Sequence, residues 1–187
     1  MDKPFENILW NNFKSGDDSA LALIYAKYAD KLYSYGLKII NDEALVKDCI
    51  HEIFIQLIEK RESLAIISRI QVYLFKSLRN KLFEELRTEK RRKLILENLP
   101  KLETDETNAP AEELIISTEE QQFTQNRIKQ AIHNLTEHQQ ELIYLKYSEG
   151  LNNQEIADML NIDSASVSTL LYRSLKKVRK LLTCLNP

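Results

Sequence analysis

The sequence predicts an all-α protein of two small helical domains joined by a flexible acidic linker, the second domain with a helix-turn-helix. Its 187 residues include only three glycines and four prolines, whereas these turn-forming types together average about 12% in proteins. No glycine-rich phosphate loop is present, and too few turn residues remain for a β-sandwich. Apolar residues recur at helical spacing along both ends of the chain.

The first domain is predicted over residues 1–95 with four helices. A polar turn at residues 15–18 ends the first helix, the second stops near Asn41, and Asp42 can cap the third. The fourth runs from about residue 70 to 93. The predicted buried stripes are Phe5, Ile8, Leu9 and Phe13; Leu21, Ile24, Tyr25, Tyr28, Leu32 and Tyr35; Leu45, Cys49, Ile53 and Leu57, flanked by Val46, Ile50, Phe54 and Ile58; and Leu74, Leu78, Leu82 and Leu86.

Opposite charges separate the end of this domain from the linker, predicted over residues 96–122. Residues 76–93 carry a net charge of +5, and residues 97–122 carry −7. The linker also contains Pro100 and Pro110, and it buries too little apolar surface to offset the entropy of ordering it. The overall charge of −2 therefore conceals basic and acidic segments and does not exclude a nucleic-acid partner.

The second domain, residues 123–187, has the spacing of a helix-turn-helix. Thr136 with Gln139 resembles a capping box, and Asn152 with Glu155 offers a second helix start. Ala157 permits close helix approach, and asparagine at the turn tolerates left-handed geometry. The expected turn residue is Asn161, and the expected apolar positions are Ile156, Leu160, Ile162, Val167 and Leu170.

The last helix has the two faces of a DNA recognition helix. Its inner face is predicted to contain Val167, Leu171, Ser174, Val178 and Leu181, and residues 173–180 carry a net charge of +5. Recognition helices place their first turns against bases and nearby cations against phosphates. The candidate DNA contacts are Ser164, Ser166, Ser168, Thr169, Tyr172, Arg173, Lys176 and Lys177. A solvated basic face is the alternative, but the combined spacing favours DNA binding.

Taken in order, these features resemble bacterial sigma factors of the extracytoplasmic-function group, the smallest members of the sigma-70 family. Residues 46–54 read V-K-D-C-I-H-E-I-F and resemble the A-E-D-L-V-Q-E-V-F stretch of the family's second conserved region, which docks on the RNA polymerase clamp. The resemblance implies polymerase contacts by Asp48, His51, Glu52 and Gln56, although His51 stands where glutamine is usual.

The resemblance continues through the DNA-binding parts. Tyr73-Leu74 and Arg79-Asn80 resemble the W-L and R-N pairs of the helix that faces the minus-ten element, although Tyr73 fits a hydrophobic core equally well. The implied minus-ten contacts are Tyr73, Lys76, Arg79, Asn80, Lys81 and Arg87. Residues 149–151 and 155–157 resemble the fourth conserved region, which reads the minus-thirty-five element. Thr136 replaces a usual proline, while Ser168, Leu170 and Leu175 replace frequent cations, which predicts weaker phosphate affinity.

The resemblance implies a sigma factor that binds core RNA polymerase and directs promoter recognition, strand opening and transcription initiation. It also implies an anti-sigma partner and a linker directed toward the transcript channel, although the linker's composition fits an ordinary tether equally well. The alternative function is a conventional helix-turn-helix regulator with a helical sensor lobe. Such a regulator binds DNA without polymerase.

Catalysis, a cofactor and a metal site are not expected. His51, His133 and His138 are scattered, and Cys49 and Cys184 lie far apart, so no convergent catalytic or metal-binding set is indicated. Cys49 is expected to be a small buried apolar residue. No apolar run approaches the roughly 18 residues of a membrane span, and residues 1–10 lack the apolar core of a secretory signal, which predicts a soluble cytoplasmic protein without membrane insertion.

Overall fold

The computed structural model describes residues 3–67, 69–96 and 119–184, and the regular structure in these ranges is helical. Internal contacts divide the chain into two compact units, Met1–Ala109 and Pro110–Pro187, which are called here the first and second lobes. The all-helical prediction is confirmed. No helix within the described ranges combines the length and apolar character needed to cross a membrane.

Four α-helices form the first lobe, as the apolar spacing predicts. They are α1, Lys3–Lys14; α2, Asp18–Ile39; α3, Glu43–Glu59; and α4, Ile70–Leu96, with a short 3-10 turn at Arg61–Ser63. Helix α2 packs against α1, α3 and α4, and α3 also packs against α4. Asp42 caps α3 as predicted, accepting a hydrogen bond from the Leu45 backbone N–H at 3.0 Å.

The predicted stripes of α2, α3 and α4 are largely buried, but the stripe of α1 is rotated. Phe5 and Ile8 are exposed, whereas Glu6, Leu9, Trp10 and Phe13 face inward. The prediction for α1 is wrong in part because it placed only apolar residues on the buried face. Glu6 is also buried, since residues of α2 donate hydrogen bonds to its carboxylate. Tyr25 and Ile58 are also exposed rather than buried, and Leu21, Leu45 and Leu86 are only half-buried.

The Glu6 carboxylate is held at the contact between α1 and α2. It accepts hydrogen bonds from Lys27 Nζ at 2.7 Å and from the Tyr28 hydroxyl. Burial by itself raises the pKa of Glu6, but the two hydrogen bonds and the charges of Lys27 and Arg69 bring the pKa below its ordinary value of 4.5. The charged carboxylate therefore stabilises the docking of α1.

Five helical segments form the second lobe: α5, Glu119–His133; α6, Glu137–Ile143; a π-helical turn, Tyr144–Ser148; α7, Asn153–Leu160; and α8, Ser164–Cys184. Helix α5 begins inside the predicted linker, so residues 119–122 are helical. Residue 96 likewise belongs to α4, and residues 97–118 of the predicted linker lie outside the described residues.

The helix-turn-helix of α7 and α8 forms as its spacing predicts. Capping boxes are present at Thr136 with Gln139 and at Asn152 with Glu155. Asn161 ends α7 in the left-handed region at φ 56° and ψ 47°. Buried at the crossing are Ile156, Ala157, Met159, Leu160, Val167, Leu171 and Ser174, while Ile162, Leu170, Val178 and Leu181 are half-buried.

We predict that Glu6→Gln lowers the free energy of unfolding by about 1–3 kcal/mol at pH 7, because it removes the charged acceptor from half-buried Lys27 and buried Tyr28. The wild-type carboxylate has a depressed pKa in the folded state, so its contribution is present above the unfolded pKa and is lost as pH falls through the lower folded pKa. In urea titrations followed by circular dichroism, the difference in the free energy of unfolding between variant and wild type should become smaller below about pH 4.5. A difference that does not change with pH contradicts a role for the charge.

Candidate polymerase and promoter interfaces

Helix α3 has one buried and one exposed face. Its buried residues are Val46, Cys49, Ile50, Ile53, Phe54 and Leu57. The four predicted polymerase contacts Asp48, His51, Glu52 and Gln56 are all exposed. Ile55 and Ile58 accompany them with exposed fractions of 53% and 49%. These six residues are called here the α3 outer face, which combines acidic, polar and apolar groups.

Glu52 is bonded to a residue that the sequence assigned to DNA. Lys81 Nζ lies 2.6 Å from Glu52 Oε2 and 3.6 Å from Glu85 Oε1. The hydrogen bond with Glu52 is the largest cause of the raised pKa of Lys81, and desolvation opposes it. The predicted DNA contact Lys81 is therefore engaged by carboxylates of α3 and α4.

The predicted minus-ten contacts lie along α4 in differing surroundings. Tyr73 is half-buried and its ring packs against Trp10 with centroids 5.5 Å apart. The Arg79 guanidinium lies over the Phe83 ring at 4.6 Å. Lys76, Asn80 and Arg87 are exposed. Tyr73 thus has a packing role as well as a partly accessible ring.

A cavity of about 230 Å³ lies between α3 and α4. It is lined by Ile53, Gln56, Tyr73, Ser77, Asn80, Lys81 and Glu84. The cavity brings predicted polymerase and promoter residues to one place. The sequence did not indicate this, because the two sets belong to different helices and their contact depends on the crossing of α3 and α4.

Most of the predicted minus-thirty-five contacts are exposed, and two of these, Ser168 and Lys177, are also hydrogen-bonded within the second lobe. Ser168, Thr169, Tyr172, Arg173 and Lys176 are exposed on α8, and Tyr172 is 68% exposed. Lys177 is also exposed, whereas Ser164 and Ser166 are half-buried.

Ser164 is half-buried and its carbonyl accepts a hydrogen bond from the Ser168 hydroxyl. The Ser166 backbone N–H donates to Asp163 at 2.7 Å, which starts the helix. Lys177 Nζ donates to the Asn134 carbonyl at 2.8 Å. Ser166 and Lys177 are therefore engaged in local structure.

Several side chains near these surfaces were missed by sequence reasoning. Trp10 positions Tyr73, and its indole N–H donates to the Ala65 carbonyl at 3.2 Å. Lys146 donates a hydrogen bond to Asn153, and Asn153 donates one to Ser168 near the start of α8. Cys49 is buried as expected, and burial raises the pKa of its thiol to about 11.

Two regional profiles of one family match the chain. Sigma-70 region 2 matches residues 24–92 and Sigma-70, region 4 matches residues 125–178. These two matches contain α3 and most of α4 in the first lobe, and α7 with most of α8 in the second. The chain therefore belongs to the sigma-70 family and is a sigma factor.

Its relatives belong to the extracytoplasmic-function group of that family, and so does this chain. The chain is 27% identical over 176 residues to the ECF RNA polymerase sigma factor SigW of Bacillus subtilis, covering 90% of this chain and 92% of SigW. It is 21% identical over 170 residues to the ECF RNA polymerase sigma factor BldN of Streptomyces coelicolor, covering 90% of this chain and 62% of BldN.

Solved structures share the fold. CnrH, in complex with the cytosolic domain of CnrY, matches with a TM-score of 0.63 at 17% identity, covering 99% of this chain and 100% of CnrH. The sigma factor RpoE, in complex with the anti-sigma factor NepR from Bartonella quintana, matches with a TM-score of 0.64 at 18% identity. The match covers 91% of this chain and 98% of RpoE.

We predict that the Glu52–Lys81 pair contributes about 0.2–1 kcal/mol to folding, since both side chains retain contact with solvent. A double-mutant cycle with Glu52→Gln and Lys81→Met in urea unfolding measures it. The Glu43–Lys47 pair on α3, at 3.2 Å and more exposed, is the matched control and should couple less. Equal coupling energies in the two cycles contradict the expectation that the less exposed Glu52–Lys81 pair is coupled more strongly.

Proposed function

We propose that this sigma factor binds core RNA polymerase through the α3 outer face and contacts promoter DNA through α4 and α8. It acts by binding, without chemistry of its own, in the cytoplasm where core polymerase transcribes. The single observation that carries the proposal is the α3 outer face, where carboxylates adjoin two exposed isoleucines. Charge complementarity directs such a surface to a basic partner, and apolar contacts add affinity.

Asp48 is the best probe of polymerase binding. Glu52 already holds Lys81 in the first lobe, so changing Glu52 disturbs both α3 and α4. Asp48 is exposed one turn before Glu52, on the side opposite the buried face of α3. Reversal of its charge therefore alters the proposed interface with little effect on the core of the lobe.

Helix α4 is proposed to grip and open the minus-ten element. Separating bases costs a few kcal/mol, and a protein without ATP chemistry supplies that energy through stacking, cations and pocket contacts. Arg79 is held in place by Phe83, and exposed Asn80 lines the cavity between α3 and α4. These two side chains combine a positioned cation with an amide that can pair with an unstacked base.

The second lobe is proposed to read the minus-thirty-five element. Arg173 and Lys176 are exposed beyond the first turns of α8 and are suited to phosphate contact. Ser168, Thr169 and Tyr172 precede them and are suited to base contact. Lys177, whose ammonium is bonded to Asn134, is assigned no direct DNA role.

An anti-sigma protein is the further proposed partner. CnrH and RpoE, which share the fold, were solved with the cytosolic domain of CnrY and with NepR respectively. An anti-sigma protein that covers the α3 outer face would compete with core polymerase for the same side chains.

Run-off transcription with purified core polymerase and genomic promoter fragments tests the function as a whole. We expect transcription to start at specific promoters only when this sigma factor is added to core polymerase. We predict that Asp48→Lys weakens core binding at least about tenfold, because it places a lysine against a basic surface. Asp30→Lys, the same change at an exposed position on α2, is the control and should bind normally. Unchanged core affinity of a folded Asp48→Lys variant contradicts the assignment of α3.

We predict that Arg79→Ala and Asn80→Ala retain core binding but reduce strand opening, measured with a fluorescent base in the minus-ten element. Lys90→Ala removes an exposed cation further along α4 and should open DNA at the wild-type rate. Normal opening by both of the first two variants removes α4 from the melting step.

For α8, we predict that Arg173→Ala weakens minus-thirty-five binding about equally for all sequences. It should reduce the slope of log affinity against log salt by about 0.9, the value for one phosphate contact. Arg179→Ala removes another exposed cation of α8 and should leave the slope unchanged. An unchanged slope for Arg173→Ala means that this residue does not contact phosphate.

A further inference from the structure

The Asn153 side chain joins three elements of the second lobe. It stands at the first position of α7, and its Oδ1 accepts a hydrogen bond from Lys146 Nζ at 2.9 Å. Its Nδ2 donates to Ser168 Oγ at 2.8 Å. Lys146 belongs to the π-helical turn and Ser168 to α8. One amide therefore connects the turn, the first helix of the helix-turn-helix and the second.

Lys146 determines which end of this amide faces Ser168. A lysine ammonium has three donors and no acceptor, so it accepts no hydrogen bond from an amide N–H. The oxygen of Asn153 must therefore face Lys146, and the NH₂ group must face Ser168. The orientation of the amide follows from chemistry, although oxygen and nitrogen have nearly the same size.

The hydrogen bonds that Ser168 Oγ already makes limit the bonds that it can form with DNA. A serine hydroxyl has one donor and two acceptor lone pairs. The Ser168 donor is used on the Ser164 carbonyl at 3.1 Å, and one lone pair is used by Asn153. Ser168 is exposed beside Thr169 on the turns of α8 that are proposed to face DNA. Its one remaining hydrogen-bonding capacity there is as an acceptor.

An acceptor discriminates between bases in the major groove. Adenine and cytosine present amino donors at N6 and N4, whereas guanine and thymine present carbonyl acceptors at the corresponding positions. A freely rotating serine can bond to either kind. A serine held as an acceptor can bond only to the amino group.

We propose that Asn153 is a positioning residue: its hydrogen bond to Ser168 Oγ holds the hydroxyl in the orientation that donates to the Ser164 carbonyl. Ser168 then faces DNA as a hydrogen-bond acceptor, so that α8 selects adenine or cytosine at one position of its DNA site. The inference rests on the proposed function of α8 as the reader of the minus-thirty-five element. One hydrogen bond predicts a preference of about two- to tenfold for the amino-bearing base.

The test measures holoenzyme binding to promoter fragments in which each minus-thirty-five position is varied in turn at fixed salt. Wild type should show the preference at one position, and Ser168→Ala should lose it. Asn153→Ala should lose it at the same position, and the double variant should match Ser168→Ala. Gln154→Ala is the control, because Gln154 bonds to Asp158 within α7 and should leave base preference unchanged.

Lys146→Met provides a second variant in which Asn153 is retained. Without the ammonium the amide can turn over, so the same preference should weaken even if Asn153→Ala unfolds the lobe. The proposal is overturned if neither variant changes preference at the position sensitive to Ser168→Ala, or if no position is sensitive to Ser168→Ala. It is also overturned if Asn153→Ala lowers affinity equally for every sequence. Normal run-off transcription in any of these cases leaves the proposed function intact.

Discussion

The rotation of α3 about its own axis determines which side chains the first lobe offers to a partner. Six residues of this helix are buried against α2 and α4, including Val46 and Ile53. At the α2 crossing, a Cβ on Gly36 would stand 2.5 Å from Val46 Cγ1, so any other residue at position 36 would require the Val46 side chain or one of the two helices to shift. Because the buried side is fixed, Asp48 and Glu52 are fixed on the outside.

The same packing makes the two proposed interfaces of the first lobe depend on each other. Helix α4 crosses α3 closely enough for Lys81 to reach Glu52, and the cavity between them is lined by Gln56 and Asn80. In the proposed complex, a polymerase cation that approached Glu52 would compete with Lys81 for the same carboxylate. Contacts on one interface therefore change the electrostatic surroundings of the other.

Amphipathic periodicity and capping chemistry were sufficient to predict most of the fold. The positions of Asp42, Thr136, Asn152 and Asn161 follow from local backbone hydrogen bonding, which depends on residues close in sequence. The rotation of α1 was not predictable in this way. It depends on Glu6, a charged residue that is buried only because α2 supplies two donors.

The sequence was sufficient to predict which residues of the candidate sites are exposed. It was not sufficient to predict which residues their side chains contact. Exposure of Asp48, Thr169 and Arg173 follows from the opposite face being apolar. Lys177 reaches Asn134, 43 positions away in the sequence, and helical periodicity contains no information about that contact. The bridge from Lys146 through Asn153 to Ser168 likewise arises from tertiary structure. Neutral side chains have special importance on α8, where exposed Ser168 and Leu175 lie on the same helix as the exposed cations Arg173 and Lys176. In the proposed complex, attachment of the second lobe to a lobe bound to polymerase would raise the effective concentration of α8 at the promoter. Under that arrangement, directed hydrogen bonds such as the one proposed for Ser168 contribute sequence discrimination more than total affinity.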